Sequence, residues 1–179
     1  MTWYENGVCY PIALRDPLLK QVPSLKKKFN NHASYAQASI EDVYPMDVLK
    51  KGIVLNVNEL RTCYFENKNG KFIAQPLSNE AQIAPVKTLL AQDFNGDGKL
   101  DLLLAGNDYG QAVETNRYDA GNGMLLLGDG KGGFMAVPNR SSGFWASLEA
   151  RNMVSIKMAG GKNAILVANN NSAPQIFLR

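Results

Sequence analysis

The sequence predicts a mainly β chain with a helical segment near its N-terminus. Three observations carry this. From about residue 59 onward, short apolar runs alternate with glycine-rich turns. Between residues 15 and 50, Pro17, Pro23 and Pro45 punctuate apolar residues set at helical spacing. An acidic loop, Asp93-Phe94-Asn95-Gly96-Asp97-Gly98-Lys99-Leu100-Asp101, opens directly into the apolar run Leu102-Leu103-Leu104-Ala105. Such a run ending at Gly106 reads as a buried strand and not as a helix.

The chain's 179 residues suffice for one domain with a core, and at 45% hydrophobic they exclude a disordered chain. A net charge of +3 is too mild to imply nucleic acid. The one basic run, Lys26-Lys27-Lys28, lacks interleaved aromatics and reads as a solvated helix face. Cys9 and Cys63 have no metal-type spacing; a disulfide is the alternative that sequence alone cannot argue, and buried free thiols are expected. No apolar run approaches the roughly 20 residues of a membrane span. The opening Met-Thr-Trp-Tyr-Glu-Asn is not a signal peptide, so an export signal is expected outside this chain.

The elements follow in order. Trp3-Tyr4 and Val8-Cys9-Tyr10 flank Glu5-Asn6-Gly7, a hairpin with an Asn-Gly turn. Asp16-Pro17 is expected to cap a helix carrying Leu18, Leu19 and Val22, and Ser24 a second carrying Leu25 and Phe29. Residues 34–38 form another turn, Ile40, Val43 and Tyr44 share a face, and residues 46–50 follow Pro45. Strands are expected at 61–66 and 71–75 around Asn67-Lys68-Asn69-Gly70. Others are expected at 86–92, 100–105, 124–127, 134–137, 154–158 and 164–168, with a lone strand at 175–178.

The acidic loop sets oxygen-bearing side chains at positions 1, 3, 5 and 9 and glycine at position 6. Asp93, Asn95, Asp97 and Asp101, with the Lys99 carbonyl, can wrap a hard cation, and Gly98 permits the sharp turn. Calcium suits this set better than magnesium, which prefers fewer protein ligands. The alternative is an Asx-rich turn held by its own hydrogen bonds. An EF-hand fails, because position 12 is Leu104 and the exit is a strand.

The strands repeat. Tyr64-Phe65-Glu66-Asn67-Lys68-Asn69-Gly70-Lys71-Phe72 matches Leu126 to Phe134, and Leu102 to Asn107 matches Ile165 to Asn170. A weaker echo sets Trp3 to Gly7 against Tyr64 to Gly70. Repeats of strand units with turn glycines are the mark of propeller blades. Asp-Phe-Asn-Gly-Asp-Gly-Lys-Leu-Asp-Leu-Leu-Leu-Ala-Gly, followed by Leu-Gly-Asp-Gly-Lys-Gly-Gly-Phe, resembles the FG-GAP/VCBS repeat family of integrin-α-like β-propellers. The motif covers about residues 89–107, and the repeat pattern roughly 59–179. The two strand groups resemble the C-terminal blades of large bacterial exported repeat proteins, and the helical stretch resembles an insertion between blades.

That resemblance implies calcium in the loop, on Asp93, Asn95, Asp97, the Lys99 carbonyl and Asp101. In the second copy, Lys157-Met158-Ala159-Gly160-Gly161-Lys162-Asn163 carries no carboxylate, so no cation is expected there and a Gly-Gly hairpin closes it.

Other motifs are read plainly. Gly128-Asp129-Gly130-Lys131-Gly132-Gly133 precedes a strand, so it is a hairpin turn and not a phosphate loop. His32 is the chain's one histidine, which leaves zinc sites and His-based triads without partners. Ser141-Ser142-Gly143 is not a nucleophile elbow. The polar loop 107–123 is the candidate recognition surface, with Asn107, Asp108, Gln111, Glu114, Asn116 and Asp119 around Tyr109, Arg117 and Tyr118. Its alternative role is a packed connection between strand units.

The expected architecture is a partial β-propeller of two to three four-stranded antiparallel blades with an N-terminal helical insertion. Residues 1–14 form a hairpin or partial blade and 15–50 the insertion. Residues 51–120 form a blade with the calcium loop, and 121–179 a degenerate blade with a terminal strand. The expected function is a non-catalytic calcium-binding module for protein–protein or cell-surface adhesion. Alternatives are a carbohydrate-binding module using Tyr109, Arg117 and Tyr118, or an accessory domain of an exported enzyme. The expected location is extracellular, cell-surface or periplasmic. Expected partners are a protein or a glycan, and further blades from a longer chain or an oligomer; nucleic acid and a membrane span are not expected.

Overall fold

A computed structural model describes residues 2–53, 55–112 and 115–178. The chain divides into two compact units, residues 1–58 and 59–179.

The first unit opens with the antiparallel hairpin β1 (Thr2–Glu5) and β2 (Val8–Pro11). Its turn residues Asn6 and Gly7 have φ of 50° and 81°, the paired positive values of a type I′ turn. Four short helices follow: α1 (Arg15–Gln21), α2 (His32–Ala36), α3 (Ile40–Val43) and α4 (Met46–Leu49), with a 3₁₀ turn at Pro23–Lys27. Two expected caps are corrected. Leu14 precedes α1 without a side-chain cap, and Asp16 instead lies in the first turn, where its charge favours the helix dipole. Ser24 lies inside the 3₁₀ turn behind Val22. The side-chain caps are Asn31, which accepts the Ser34 N–H at 2.8 Å, and Ser39, in a reciprocal box with Asp42. Leu18, Phe29, Tyr35, Ala38 and Val43 form this unit's core. The Tyr35 hydroxyl donates to the Ala13 carbonyl at 2.6 Å, which satisfies its polar end.

The second unit is built from β3 (Cys63–Lys68), β4 (Lys71–Pro76), β5 (Val86–Gln92), β6 (Asp101–Gly106), β7 (Met124–Gly128), β8 (Phe134–Val137), β9 (Ala150–Lys157), β10 (Asn163–Asn169) and β11 (Gln175–Leu178). All described pairs are antiparallel. The sheets are β3-β4, then β5-β6-β7-β8, then the three-stranded β11-β10-β9.

The fold is therefore mainly β, in four small antiparallel sheets including β1-β2, and no closed ring forms among the described residues. The expected blade limits are corrected. The four-stranded sheet takes β5-β6 from residues 51–120 and β7-β8 from 121–179, while β3-β4 forms its own sheet. Strand sequence fixes which segments extend, but sheet membership follows the edge each hairpin finds. Nor is 175–178 a lone strand: it pairs with β10, Leu166 opposite Ile176. Cys9 and Cys63 are free and half-buried, not fully buried.

The pairing registers show that the last two sheets are copies. Leu89 opposite Leu104 recurs as Met153 opposite Val167, and Leu103 opposite Leu125 recurs as Leu166 opposite Ile176. Both copies carry a β-bulge at the same place, with Lys87 the extra residue in β5 and Arg151 in β9.

The copies stack face to face. Leu90, Leu103 and Leu125 on one face of the β5–β8 sheet pack with Met153, Ile165, Val167 and Phe177 of the β9–β11 sheet. The opposite face of β5–β8, with Leu102, Leu104, Leu126 and Phe134, packs against Leu77 and Ala81. There Tyr64 of β3 meets the Phe134 ring edge-on, with centroids 5.7 Å apart.

Candidate functional site

The acidic loop joins β5 to β6, and its polar atoms are turned onto its own backbone. Asp93 Oδ1 accepts the N–H groups of Gly96 at 2.6 Å and Asp97 at 3.2 Å, and its Oδ2 accepts that of Gly98 at 2.9 Å. Asn95 Oδ1 accepts the Asp97 N–H, and Asp97 Oδ1 the Lys99 N–H, each at 2.9 Å. These are nested Asx turns, the alternative weighed from sequence. Asp97 is held below the usual carboxylate range chiefly by that Lys99 N–H, with help from Asn95 and the Lys99 ammonium.

Asp101 stands apart. It is fully buried, and its carboxylate accepts the Phe94 N–H at 2.8 Å and the Gly128 N–H at 2.9 Å. It thereby fastens the loop to the end of β7.

The donor set suits calcium: hard carboxylate and amide oxygens on one loop. The arrangement fits less well. Among the described residues no three acidic, histidine or cysteine side chains gather closely enough to hold a metal ion. A cation would have to draw Asp93, Asn95 and Asp97 together out of their turns.

The equivalent loop between β9 and β10 closes without carboxylates. The Met158 N–H donates to the Lys162 carbonyl at 2.8 Å across a 3₁₀ turn at Ala159–Gly161, so it is a longer loop than a two-residue hairpin. The Gly128–Gly133 segment is a turn, as expected: Asp129 accepts the Lys131 N–H at 2.6 Å and the Gly133 N–H at 2.9 Å. His32 begins α2 and is largely exposed.

At the other end of the two sheets lies a polar cluster that joins Asn107 and Asp108 of the recognition loop to Glu149, which the sequence did not single out. Asn107 is fully buried with φ of 80°. Its amide donates to the carbonyls of Gly121 at 2.9 Å, Ser147 at 3.0 Å and Leu148 at 3.4 Å, and its oxygen accepts the Gly121 N–H at 2.9 Å. It locks the end of the 107–123 loop to the segment before β9. Glu149 is 2% exposed. It pairs with the bulged Arg151 and accepts from the Asn170 amide at 2.8 Å. The other bulged cation, Lys87, reaches Asp108 at 2.6 Å. Each bulge thus turns a basic side chain onto a carboxylate.

The three candidate ligand residues divide. The Arg117 guanidinium lies 3.9 Å from the centroid of the Tyr109 ring, and the Tyr109 hydroxyl donates to the Ser147 carbonyl at 3.2 Å. Tyr118 pairs its backbone with Asp108 and stays 49% exposed. Glu114 lies outside the described residues.

Glu149 gives a pH prediction. The Asn170 amide, the Tyr109 N–H and Arg151 hold its carboxyl below the usual glutamate range against the burial that opposes them. The unfolded chain therefore binds the proton first as pH falls. This contribution is complete above the unfolded value of about 4.3 and is lost as pH falls through the lower native value. Melting curves from pH 6 to pH 3 should show a shallower acid loss for Glu149→Gln than for wild type. Identical slopes would remove Glu149 as the source.

No family model matches this chain, and no curated protein or solved structure matches it. The resemblance to FG-GAP/VCBS repeats therefore rests on the residues quoted for it.

Proposed function

We infer that the chain is a non-catalytic repeat module of β-propeller type, braced by calcium at one loop and acting through surface contacts. The observation that carries the reading is the duplication: two sheets with equivalent registers and equivalent bulges, stacked face to face. Repeated units that each bury one face on the next are how propellers and related arrays are built. Asp93, Asn95, Asp97, Asp101 and the Lys99 carbonyl are the oxygens the loop offers to calcium, which would draw the loop's carboxylates together and stiffen the turn. A protein is preferred to a glycan as surface ligand, because Arg117 already covers the Tyr109 ring that a sugar would stack on. An extracellular, cell-surface or periplasmic setting, where calcium is plentiful, agrees with this reading.

Calorimetry in calcium and in chelator tests the cation. Calcium at 100 times its Kd should add about 2.7 kcal/mol. For a chain of this size that raises Tm by about 5 to 10 °C. Asp97→Ala should keep nearly the wild-type Tm in chelator and lose the increment. Equal wild-type melting in both buffers would leave the loop as a hydrogen-bonded turn alone.

A further inference from the structure

The two copied sheets differ at one end. Val86 opposite Gly106 in the β5–β8 sheet recurs as Ala150 opposite Asn169, and the registers of Leu125 and Ile176 set Met124 equivalent to Gln175. In the β9–β11 sheet these two amides span the strand ends. Asn169 donates to the Ala173 carbonyl at 2.8 Å and to Gln175 Oε1 at 3.3 Å, and Gln175 donates to the Trp145 carbonyl at 3.3 Å. They tie the end of β10 and the start of β11 to the segment before β9. Glycine and methionine cannot make that tie. Between the end of β6, the start of β7 and the segment before β5, a cavity of about 110 Å³ stays open. Ala81, Val86, Leu104 and Met124 give it an apolar wall. It has room for about four or five heavy atoms.

The polar lining of this cavity is made of acceptors. Glu80 alone is charged among the described residues that line it. Its exposed carboxyl is held below the usual glutamate range chiefly by its own backbone N–H, so it is an anion at neutral pH. Asn139 also lines the cavity. Its amide hydrogens are committed to the carbonyls of Asn122, Gly123 and Phe144, so its oxygen is what it has to offer. A carboxylate and an amide oxygen receive a donor, and the carboxylate favours a cationic one. In the β9–β11 sheet, too, the group sent to the segment before the first strand is a nitrogen donor. We propose that this cavity binds a primary ammonium on a short aliphatic chain, supplied by a lysine side chain of a partner protein or by a free alkylamine. The stem lies against Ala81, Leu104 and Met124, and the ammonium meets Glu80. A partner's lysine would deepen the surface-contact reading above. The cavity itself is independent of the calcium loop, which lies at the far end of the β5–β6 hairpin.

Titration of the full chain with n-butylammonium chloride, followed by backbone amide NMR shifts, tests it. Shifts should gather at Ala81, Gly106 and Gly121, with a Kd on the order of millimolar. Butyramide, a neutral nitrogen donor of similar length, should bind about three- to fivefold more weakly, because the ion pair with Glu80 is open to water. Butyrate should leave these residues unshifted. Glu80→Gln should keep wild-type melting and lose the preference for ammonium over amide. Ala84→Leu lengthens a lining side chain and should abolish the shifts from both probes, with a dispersed spectrum establishing that it is folded. Nα-acetyl-lysine methylamide separates the sources. Its binding assigns a partner's lysine, and butylammonium binding without it assigns a free amine. Equal binding of butylammonium and butyramide to wild type overturns the site, as does an undiminished ammonium preference in Glu80→Gln or an absence of shifts at the cavity. The titration should read the same in calcium and in chelator, so loss of the calcium increment with amine binding intact counts only against the cation.

Discussion

Asp101→Ala is expected to lower Tm by about 10 °C, and to do so in chelator as well as in calcium. The side chain is fully buried and accepts two backbone N–H groups, from Phe94 and Gly128. Each charge-assisted bond contributes about 1.5 to 3 kcal/mol, and alanine removes both. Water has little room to replace the carboxylate. A Cβ on Gly128 would lie 2.1 Å from the Leu100 carbonyl oxygen, so the end of β7 is pressed against the start of β6. Asp101→Asn retains one oxygen acceptor and sets its amide against the other N–H, so it should lose stability to a lesser but clear extent. Thermal melting of the three proteins in both buffers checks this. A loss confined to calcium would make Asp101 a metal ligand first and a structural brace second.

Strand positions were legible because apolar runs bounded by turn glycines leave few alternatives. Val86–Gln92, Phe134–Val137 and Gln175–Leu178 lie where the pattern places them. Pairing was less legible. The hairpin at Cys63–Pro76 has the length and turn to begin a blade, yet β5 finds its partner in β6 and the hairpin keeps a separate sheet. Helix starts shifted for a related reason. Asp16 and Ser24 have the right chemistry for caps, but whether a side chain reaches a backbone N–H depends on its dihedral angles. At the acidic loop the donors were legible from spacing, while the atoms they serve here were not. Glu149 was missed, and Asn107 was read as part of a recognition loop and not as a brace, because polar residues at strand ends read as loop. The signal lay in the match of Leu102–Asn107 with Ile165–Asn170, which sets Asn107 and Asn170 at equivalent ends. In the structure both backbone N–H groups close onto the residue before the neighbouring strand, Pro85 and Glu149.

Asn107 gives the second large effect, and three substitutions separate its two causes. Asn107→Gly keeps a backbone that accepts φ of 80° and removes only the side-chain bonds. Those bonds tie Gly121, Ser147 and Leu148 together, and their loss should destabilise by about 2 kcal/mol. Asn107→Ala removes the same bonds and adds about 1 to 2 kcal/mol for a left-handed backbone with a Cβ. Asn107→Asp keeps the acceptor for the Gly121 N–H but faces a buried carboxylate oxygen toward carbonyls, so it should be the worst of the three. The expected order of Tm is therefore wild type, glycine, alanine, aspartate. Limited proteolysis should cut all three variants faster within the 107–123 loop, whose end is no longer held to the segment before β9. Equal melting of the glycine and alanine variants would mean that the backbone there relaxes out of the left-handed region, leaving hydrogen bonding as the sole role of this side chain.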